Sequence, residues 1–340
     1  MTDLSKLLID SPYNPIIDLN NKQPRFGPRY AEIHLTNLCN SHCYFCNQIS
    51  LRENKGSFDY DFLINTISTL KGNGLKAIRL SGGGEPTVYP KIHQIIEFIG
   101  KNTISLSRFD TNGIDLSCTI SKQLIECKLK VLHISLQAPN SFQWARITQK
   151  NPKAFDKILY NISTFIELDT NRSTKVYASF ILDENTSKSI PEMYDLCQKL
   201  GLGINIHYLN CHTYKKDYKK NVMPDVDKLL REYQPESNGD DKNIVCGAPW
   251  AAILVKPNGD VYPCCALQDK KFIMGNIYYA DPLSIWNCPK YNDFRRAFLG
   301  INTSGVIFRL PDSCDNNCPV MKGMMSISKN HLLMIGNNNS

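Results

Sequence analysis

The sequence lacks the two features that would place a protein in a membrane or send it across one. No apolar run approaches the ~18 residues that a membrane-spanning helix requires. Residues 1–15, MTDLSKLLIDSPYNP, are too polar and too acidic for a secretory signal peptide. We therefore expect a cytoplasmic protein that works without a membrane.

The sequence also lacks an excess of charge of one sign and any visible internal repeat. Its net charge of +7 is spread over 39 basic and 32 acidic residues, and its basic stretch KKDYKK, residues 215–220, is short. A nucleic-acid surface would need a broader basic face with interleaved aromatic residues. We therefore expect no nucleic-acid partner.

Cysteine, in contrast, is abundant, with 13 residues in the chain. Disulfides are rare in a reducing cytoplasm, so these residues are better interpreted as metal ligands, buried thiols or catalytic thiols.

Apolar β-rich segments alternate with helical patterns along the first two thirds of the chain. The predicted strands are residues 30–36, 76–82, 104–111, 130–138, 175–182 and 203–210. This alternation predicts parallel βαβ units, and six of them predict an α/β fold with a partial (β/α)6 barrel. Functional residues are then expected at the carboxyl ends of the strands.

The pattern changes in the last third of the chain. Residues 251–265, AAILVKPNGDVYPCC, predict a hairpin around Pro-Asn-Gly-Asp, and a helical stretch follows at residues 281–300. We expect five regions, which are a leader at 1–28, a barrel core at 29–220, a linker at 221–245, a small hairpin-plus-helix domain at 246–322 and a tail at 323–340.

Three cysteines, Cys39, Cys43 and Cys46, form the cluster CNSHCYFC directly after the first predicted strand. A structural zinc site needs four ligands, whereas three thiolates leave one metal position open. In a 4Fe–4S cluster, that position is an iron that can bind a substrate or cofactor. The alternatives are loop cysteines without a metal, or zinc completed by His42 or His34.

The CxxxCxxC cluster resembles the signature of the radical SAM superfamily. The resemblance implies a 4Fe–4S cluster whose open iron binds S-adenosylmethionine (SAM), and a flavodoxin- or ferredoxin-type electron donor. The segment SGGGEPT after the second strand resembles the family's GGE motif, so Gly83, Gly84 and Glu85 are expected to bind the methionyl ammonium. Weaker resemblances, including FDTNG and HISLQA, add further candidates for SAM binding: Asn112, Ser135, Ser179 and Phe45.

A second cysteine set follows in the C-terminal region and resembles the SPASM and twitch extensions of radical SAM enzymes. The ligands implied for an auxiliary 4Fe–4S cluster are Cys246, Cys264, Cys314 and Cys318, and Cys265 could replace Cys264. Because the full SPASM pattern uses seven cysteines, we expect a twitch-like domain with one auxiliary cluster. Zinc remains an alternative from the spacing alone.

Two other thiols are candidates for catalysis. Cys211 follows the sixth predicted strand and Cys265 adjoins the auxiliary set, so either could donate a hydrogen atom to a substrate radical. Cys127 and Cys197 fall on helical patterns and are expected to be buried thiols.

The resemblance implies that a 5′-deoxyadenosyl radical removes hydrogen from a substrate C–H bond, leading to oxidation, epimerisation or rearrangement. The predicted leader before the barrel core has only 28 residues, which is short for a peptide-recognition domain. We therefore expect a small molecule, similar to a sugar or an aminocyclitol. The alternatives are maturation of a ribosomal peptide or a protein side chain, or, in another class, a non-catalytic iron–sulfur or zinc protein.

Overall fold

The computed structural model of the protein describes residues 27–46, 48, 56–183, 185–208, 244–298 and 326–328. Six parallel strands alternate with helices in its first part. The strands are β1 Tyr30–His34, β2 Ala77–Ser81, β3 Ser105–Thr111, β4 Val131–Ile134, β5 Lys175–Leu182 and β6 Gly203–Tyr208. The helices are α1 Tyr60–Gly72, α2 Ile92–Lys101, α3 Cys118–Glu126, α4 Ser141–Thr148, α5 Lys153–Leu168 and α6 Ile190–Leu200.

The C-terminal part contributes short elements. They are β7 Ile244–Cys246, α7 Ala248–Ala251, β8 Ala252–Val255, β9 Asp260–Tyr262, β10 Gly275–Asn276, α8 Pro282–Trp286, α9 Pro289–Phe298 and β11 Ser326–Ser328. The predicted hairpin is confirmed, because β8 and β9 pair antiparallel around the Pro-Asn-Gly turn. The single predicted helix at 281–300 is instead two helices, since Pro289 begins a new one.

One sheet of nine strands joins the two parts, in the order β10-β9-β8-β1-β2-β3-β4-β5-β6. The six predicted parallel strands are adjacent in sequence order, which confirms the partial barrel. The C-terminal hairpin adds β8 to the open side of β1, in parallel. The hairpin therefore extends the barrel sheet.

Helices cover one face of the sheet because their apolar residues recur at helical spacing. In α2, Ile92, Ile95, Ile96 and Ile99 are all buried, at i, i+3, i+4 and i+7. Asp59 caps α1 by accepting a hydrogen bond from the amide of Phe62. No helix in the described part of the chain is long and apolar enough to span a membrane.

The strands alternate between apolar and charged residues. On β1 and β2, Ile33, Ile78 and Leu80 join the apolar core. Between them on the opposite face lie Glu32 and Arg79, which are aligned in register. Fully buried parallel strands usually read as continuous apolar runs. One face of this sheet therefore packs against the helices in the apolar core, and the opposite face is polar.

Candidate active site

The three-cysteine loop follows β1 at the carboxyl end of the parallel strands. Cys39, Cys43 and Cys46 are partly exposed, and none of the described cysteines forms a disulfide. The amide of Ser41 donates to Cys39 Sγ at 3.4 Å, and that of Cys46 donates to the Cys43 carbonyl at 3.1 Å. As placed, no three potential ligands in the described chain form a group able to hold a metal ion.

The glycine-rich loop after β2 is hydrogen-bonded to the cysteine loop. The amide of Gly84 donates to the Thr36 carbonyl at 2.9 Å, and that of Glu85 donates to the Leu38 carbonyl at 2.8 Å. A Cβ on Gly84 would lie only 1.9 Å from the Leu38 oxygen. Only glycine therefore permits this contact, which holds the two loops together.

The Glu85 carboxylate is buried between the glycine loop and the end of β3. It accepts hydrogen bonds from the Thr111 hydroxyl at 2.6 Å, the Asn112 amide at 2.7 Å, and both the amide and hydroxyl of Thr87. Burial raises the pKa of Glu85, while these donors oppose that rise. Both oxygens are thus already engaged within the protein, and a contact with a methionyl ammonium remains a prediction.

Asn112 connects the end of β3 to the cysteine loop. Its side-chain amide donates to Asn40 Oδ1 at 2.6 Å, and Asn40 in turn donates to Asp115 at 2.7 Å. The TNG turn therefore positions the segment between Cys39 and Cys43.

The carboxyl end of α4 also holds the cysteine loop, which the sequence did not predict. The amides of His42 and Tyr44 donate to the carbonyls of Thr148 and Ile147, at 2.9 and 3.1 Å. The Tyr44 hydroxyl donates to Asp183, which follows β5. These last-turn carbonyls have no partner within their own helix, so they are natural acceptors for a neighbouring loop.

The remaining candidates for SAM binding lie at the same edge. Ser135 follows β4 and its amide donates to the Thr111 carbonyl at 2.8 Å. Ser179 is buried on β5, and Phe45 packs edge-to-face on Tyr44 with ring centroids 5.2 Å apart. Their contacts with SAM remain predictions.

A chain of ion pairs runs across the polar face beneath the loops. Arg79 binds Glu32 at 3.0 Å and Asp110 through two nitrogens at 2.7 and 3.2 Å. His34 Nε2 lies 3.2 Å from Glu32, and His133 Nδ1 lies 3.0 Å from Asp110. Two further donors belong to this network. Ser81 donates a hydrogen bond to Glu32, and Arg108 forms an ion pair with Asp110.

Burial and the charges within this network shift the pKa values of its carboxylates and histidines. Burial alone would raise the pKa of Glu32, but Arg79, His34 and Ser81 hold it at about 2. Burial lowers the pKa of both histidines, which favours neutral imidazoles. The outer nitrogens, His34 Nδ1 and His133 Nε2, are buried without a hydrogen-bond partner among the described residues. Each is a proton acceptor oriented by a carboxylate.

The second cysteine set is only partly described. Cys246 is buried on β7, Cys264 follows β9, and the amide of Ala266 donates to Cys264 Sγ at 3.1 Å. Three of the predicted functional cysteines lie outside the described residues: Cys314, Cys318 and the candidate hydrogen donor Cys211. Most of the predicted leader, linker and tail also lies outside them, and the described part of the tail is β11.

Cys265 lies within electrostatic reach of the ionic network. A hydrogen bond with Cys264, then burial and the charge of Glu32, raise the pKa of its thiol well above the usual range. The role of Cys265 as a hydrogen donor stays a prediction. Of the two helical cysteines, Cys197 is buried and Cys127 is partly buried.

Comparisons with known proteins cover both parts of the chain. The family model described as "Radical SAM superfamily" matches residues 33–197, which span β1 to most of α6. The SPASM model, described as "Iron-sulfur cluster-binding domain", matches residues 246–319, which include all four predicted auxiliary ligands.

The relatives differ in how much of the chain they match. The "Antilisterial bacteriocin subtilosin biosynthesis protein AlbA" of Bacillus subtilis is 26% identical over 288 residues, 77% of this chain and 60% of that protein. A "Probable GTP 3',8-cyclase" of Methanocaldococcus jannaschii is 25% identical over 206 residues, 60% of this chain and 66% of that protein. The chain thus spans less than two thirds of either relative.

A solved structure has the same fold. Streptococcus suis SuiB, bound to the precursor peptide SuiA, superposes with a TM-score of 0.62 at 18% identity, covering 81% of this chain and 68% of that one. This likeness independently supports the architecture of the barrel with its C-terminal extension.

Proposed function

The chain belongs to the radical SAM superfamily and carries a SPASM domain, and on that premise we propose that it modifies a peptide substrate by radical chemistry. Its family makes it an enzyme that uses SAM and a 4Fe–4S cluster, with auxiliary iron–sulfur binding in the SPASM domain. The substrate class and the reaction type are the proposal.

The site residues fit these cofactors in their chemistry. The cysteine loop supplies three thiols, which leaves one iron of a 4Fe–4S cluster without a protein ligand. The glycine loop packs directly against it, and its lack of side chains lets backbone groups approach a ligand closely. Cys39, Cys43 and Cys46 would hold the first cluster. When bound, the clusters and SAM supply a 5′-deoxyadenosyl radical that removes hydrogen from a substrate carbon, and an acceptor for the electron released.

Coverage does not decide the substrate, because AlbA matches 77% of this chain and a Pyrococcus furiosus protein named as a "Tungsten-containing aldehyde ferredoxin oxidoreductase cofactor-modifying protein" matches 84%. The observation that carries the peptide assignment is what AlbA and SuiB are named for or were solved with. AlbA is named for biosynthesis of a bacteriocin, and SuiB was solved with a precursor peptide. The comparisons thus favour the peptide alternative over the sugar-like substrate expected from the short leader.

We assign oxidation as the reaction type because the polar face offers proton acceptors. Loss of an electron from a substrate radical must be accompanied by loss of a proton. His133 Nε2 can take that proton, and Asp110, bonded to the other ring nitrogen, stabilises the positive ring. The electron donor that starts the reaction is proposed to be of flavodoxin or ferredoxin type.

Epimerisation is a second candidate, favoured by the Cys265 thiol, whose pKa is raised by its hydrogen bond with Cys264 and by burial. The two outcomes differ in mass. Oxidation removes a pair of hydrogen atoms from the peptide, whereas epimerisation leaves the mass unchanged in H2O and adds one deuterium at carbon in D2O.

The test is co-expression with any short open reading frames that flank the gene, followed by mass spectrometry of the encoded peptides. We expect one peptide to lose hydrogen pairs with the wild-type enzyme and to stay unmodified with Cys43→Ala. The peptide assignment is wrong if every peptide stays unmodified while a sugar or aminocyclitol is converted by the same enzyme.

A further inference from the structure

Lys256 is a buried cation that the proposed reaction does not use. It follows β8 and is only 4% exposed. No carboxylate in the described part of the chain lies within ion-pair distance of its ammonium. The group found beside it is the Tyr262 ring, whose centroid lies 4.6 Å from the nitrogen.

The position of Lys256 places it at the edge that carries the cysteine and glycine loops. Strands β1 and β8 are parallel and paired up to Ile33 and Val255, and the next residues are His34 and Lys256. Side chains alternate along a strand, so this register puts Lys256 beside His34 on the face that carries Glu32. In agreement with that placement, the charge of Lys256 lowers the pKa of His34 and Glu32 raises that of Lys256. A Cβ on Gly83 would lie 3.7 Å from His34 Nδ1, which places this pair beneath the glycine loop.

A buried cation whose described neighbour is an aromatic ring and a buried acceptor without a described donor therefore lie side by side, at the ends of neighbouring strands. Lys256 is a donor that carries positive charge, and His34 Nδ1 is a buried acceptor without a donor among the described residues. Burial lowers the pKa of Lys256 to about 8, against the opposing charges of Asp260 and Glu32. A buried ammonium without a counter-ion destabilises the fold, so an anion that enters would be bound strongly.

We propose that Lys256 is the cationic end of a carboxylate-binding subsite at the carboxyl edge of β1 and β8. Two carboxylates can reach this edge. One is the methionyl carboxylate of SAM, since the neighbouring glycine loop is the expected site of the methionyl ammonium. The other is a carboxylate of the substrate, which rests on the proposed peptide function.

The first arm of the test uses SAM and its decarboxylated analogue with cluster-loaded enzyme. Equilibrium binding is measured for both ligands with the wild type, Lys256→Met and Lys256→Arg. If the SAM carboxylate occupies the subsite, its removal weakens binding to the wild type about 10- to 100-fold more than it weakens binding to Lys256→Met, in which only the iron still senses the carboxylate. Lys256→Arg keeps the positive charge, so it should keep most of the wild-type difference in affinity between SAM and its decarboxylated analogue.

The second arm uses two fluorescein-labelled hexapeptide libraries that differ only in a fixed Glu or Gln, with binding read by anisotropy. If a substrate carboxylate occupies the subsite, the wild type prefers the Glu library and Lys256→Met loses that preference. A wild type that binds neither library contradicts the peptide function, while the first arm still decides the role of Lys256.

Lys271→Met is the matched control. Lys271 also lies over an aromatic ring, with its nitrogen 4.9 Å from the centroid of Phe272, but it is exposed. Lys271→Met should therefore keep the wild-type preference for SAM over its decarboxylated analogue and for the Glu library over the Gln library. Thermal unfolding gives a second readout, because removing an unpaired buried charge should not lower the unfolding midpoint of Lys256→Met.

The inference is overturned if Lys256→Met keeps every carboxylate preference that the wild type shows. It is also overturned if the wild type shows no carboxylate preference in either arm. Loss of either preference in Lys256→Met, with an unfolding midpoint at or above that of the wild type, supports the subsite and identifies the source of its carboxylate.

Discussion

At the scale of single residues, Arg79 holds the polar face together. It is the one described side chain that binds both Glu32 and Asp110, and its own side chain is 14% exposed. Removing one partner of a buried charge network leaves the others uncompensated, which costs about 3–5 kcal/mol. Arg79→Met should therefore lower the free energy of unfolding by that amount, measured by chemical denaturation.

The surface pair Lys101–Glu97 supplies the control for this prediction. It has a short contact of 2.5 Å, but both side chains are exposed. Lys101→Met should leave the denaturation midpoint unchanged, because exposed pairs contribute little. Equal effects of the two substitutions would show that the network does not stabilise the barrel.

Residue identity was predictable where chemistry demands a particular side chain, and residue contacts were not. The three-cysteine spacing and the glycine loop predicted a site because few functions need those residues in that order, and the structure brings the two loops into contact. The sequence could not show that Glu85 would accept from Thr111, 26 residues away, or that Asp110 would meet Arg79. Such contacts depend on which strands become neighbours and at which register.

At the scale of elements, the glycine loop should control the geometry of the cysteine loop. Gly84→Ala forces a methyl group against the Leu38 carbonyl, which is backbone and cannot rotate away. We expect the variant to fold and to lose most of its first cluster. The measurement is iron content together with the ultraviolet circular dichroism of the purified protein.

Gly72→Ala is the matched control, since a Cβ there meets nothing within 4 Å and the residue ends helix α1. It should keep full iron loading. Full loading in Gly84→Ala as well would mean that the contact between the two loops does not position the cluster ligands.

Most elements of the barrel could be predicted because β-rich segments and helical periodicity alternate clearly. Helix α4 has only eight residues and follows directly on the loop after β4, so its apolar pattern is too short to predict a helix from the sequence. The pairing of β8 with β1 was also missed, since the register joins Tyr30 to Ala252 across most of the chain. Local patterns contain no information about such distant partners.

At the scale of the whole molecule, the barrel and the SPASM part share one sheet but should load iron separately. Cys264 follows β9, whereas the cysteine loop follows β1. Cys264→Ala should lower iron content by about one cluster, roughly four irons, and leave the first cluster unchanged by electron paramagnetic resonance.

Cys118→Ala is the control for this prediction, since Cys118 is exposed at the start of α3 and belongs to neither cysteine set. It should keep wild-type iron content. Unchanged iron in Cys264→Ala would remove Cys264 from the auxiliary ligands and favour Cys265, which adjoins it.

The most direct test of the central claim is formation of 5′-deoxyadenosine from SAM and dithionite by anaerobically reconstituted enzyme, with iron counted in the same sample. We predict about eight irons per chain and steady formation of 5′-deoxyadenosine by the wild type, with no 5′-deoxyadenosine formed by Cys43→Ala. Formation by Cys43→Ala at the wild-type rate would contradict the assignment of the three cysteines, and with it the radical mechanism at this site.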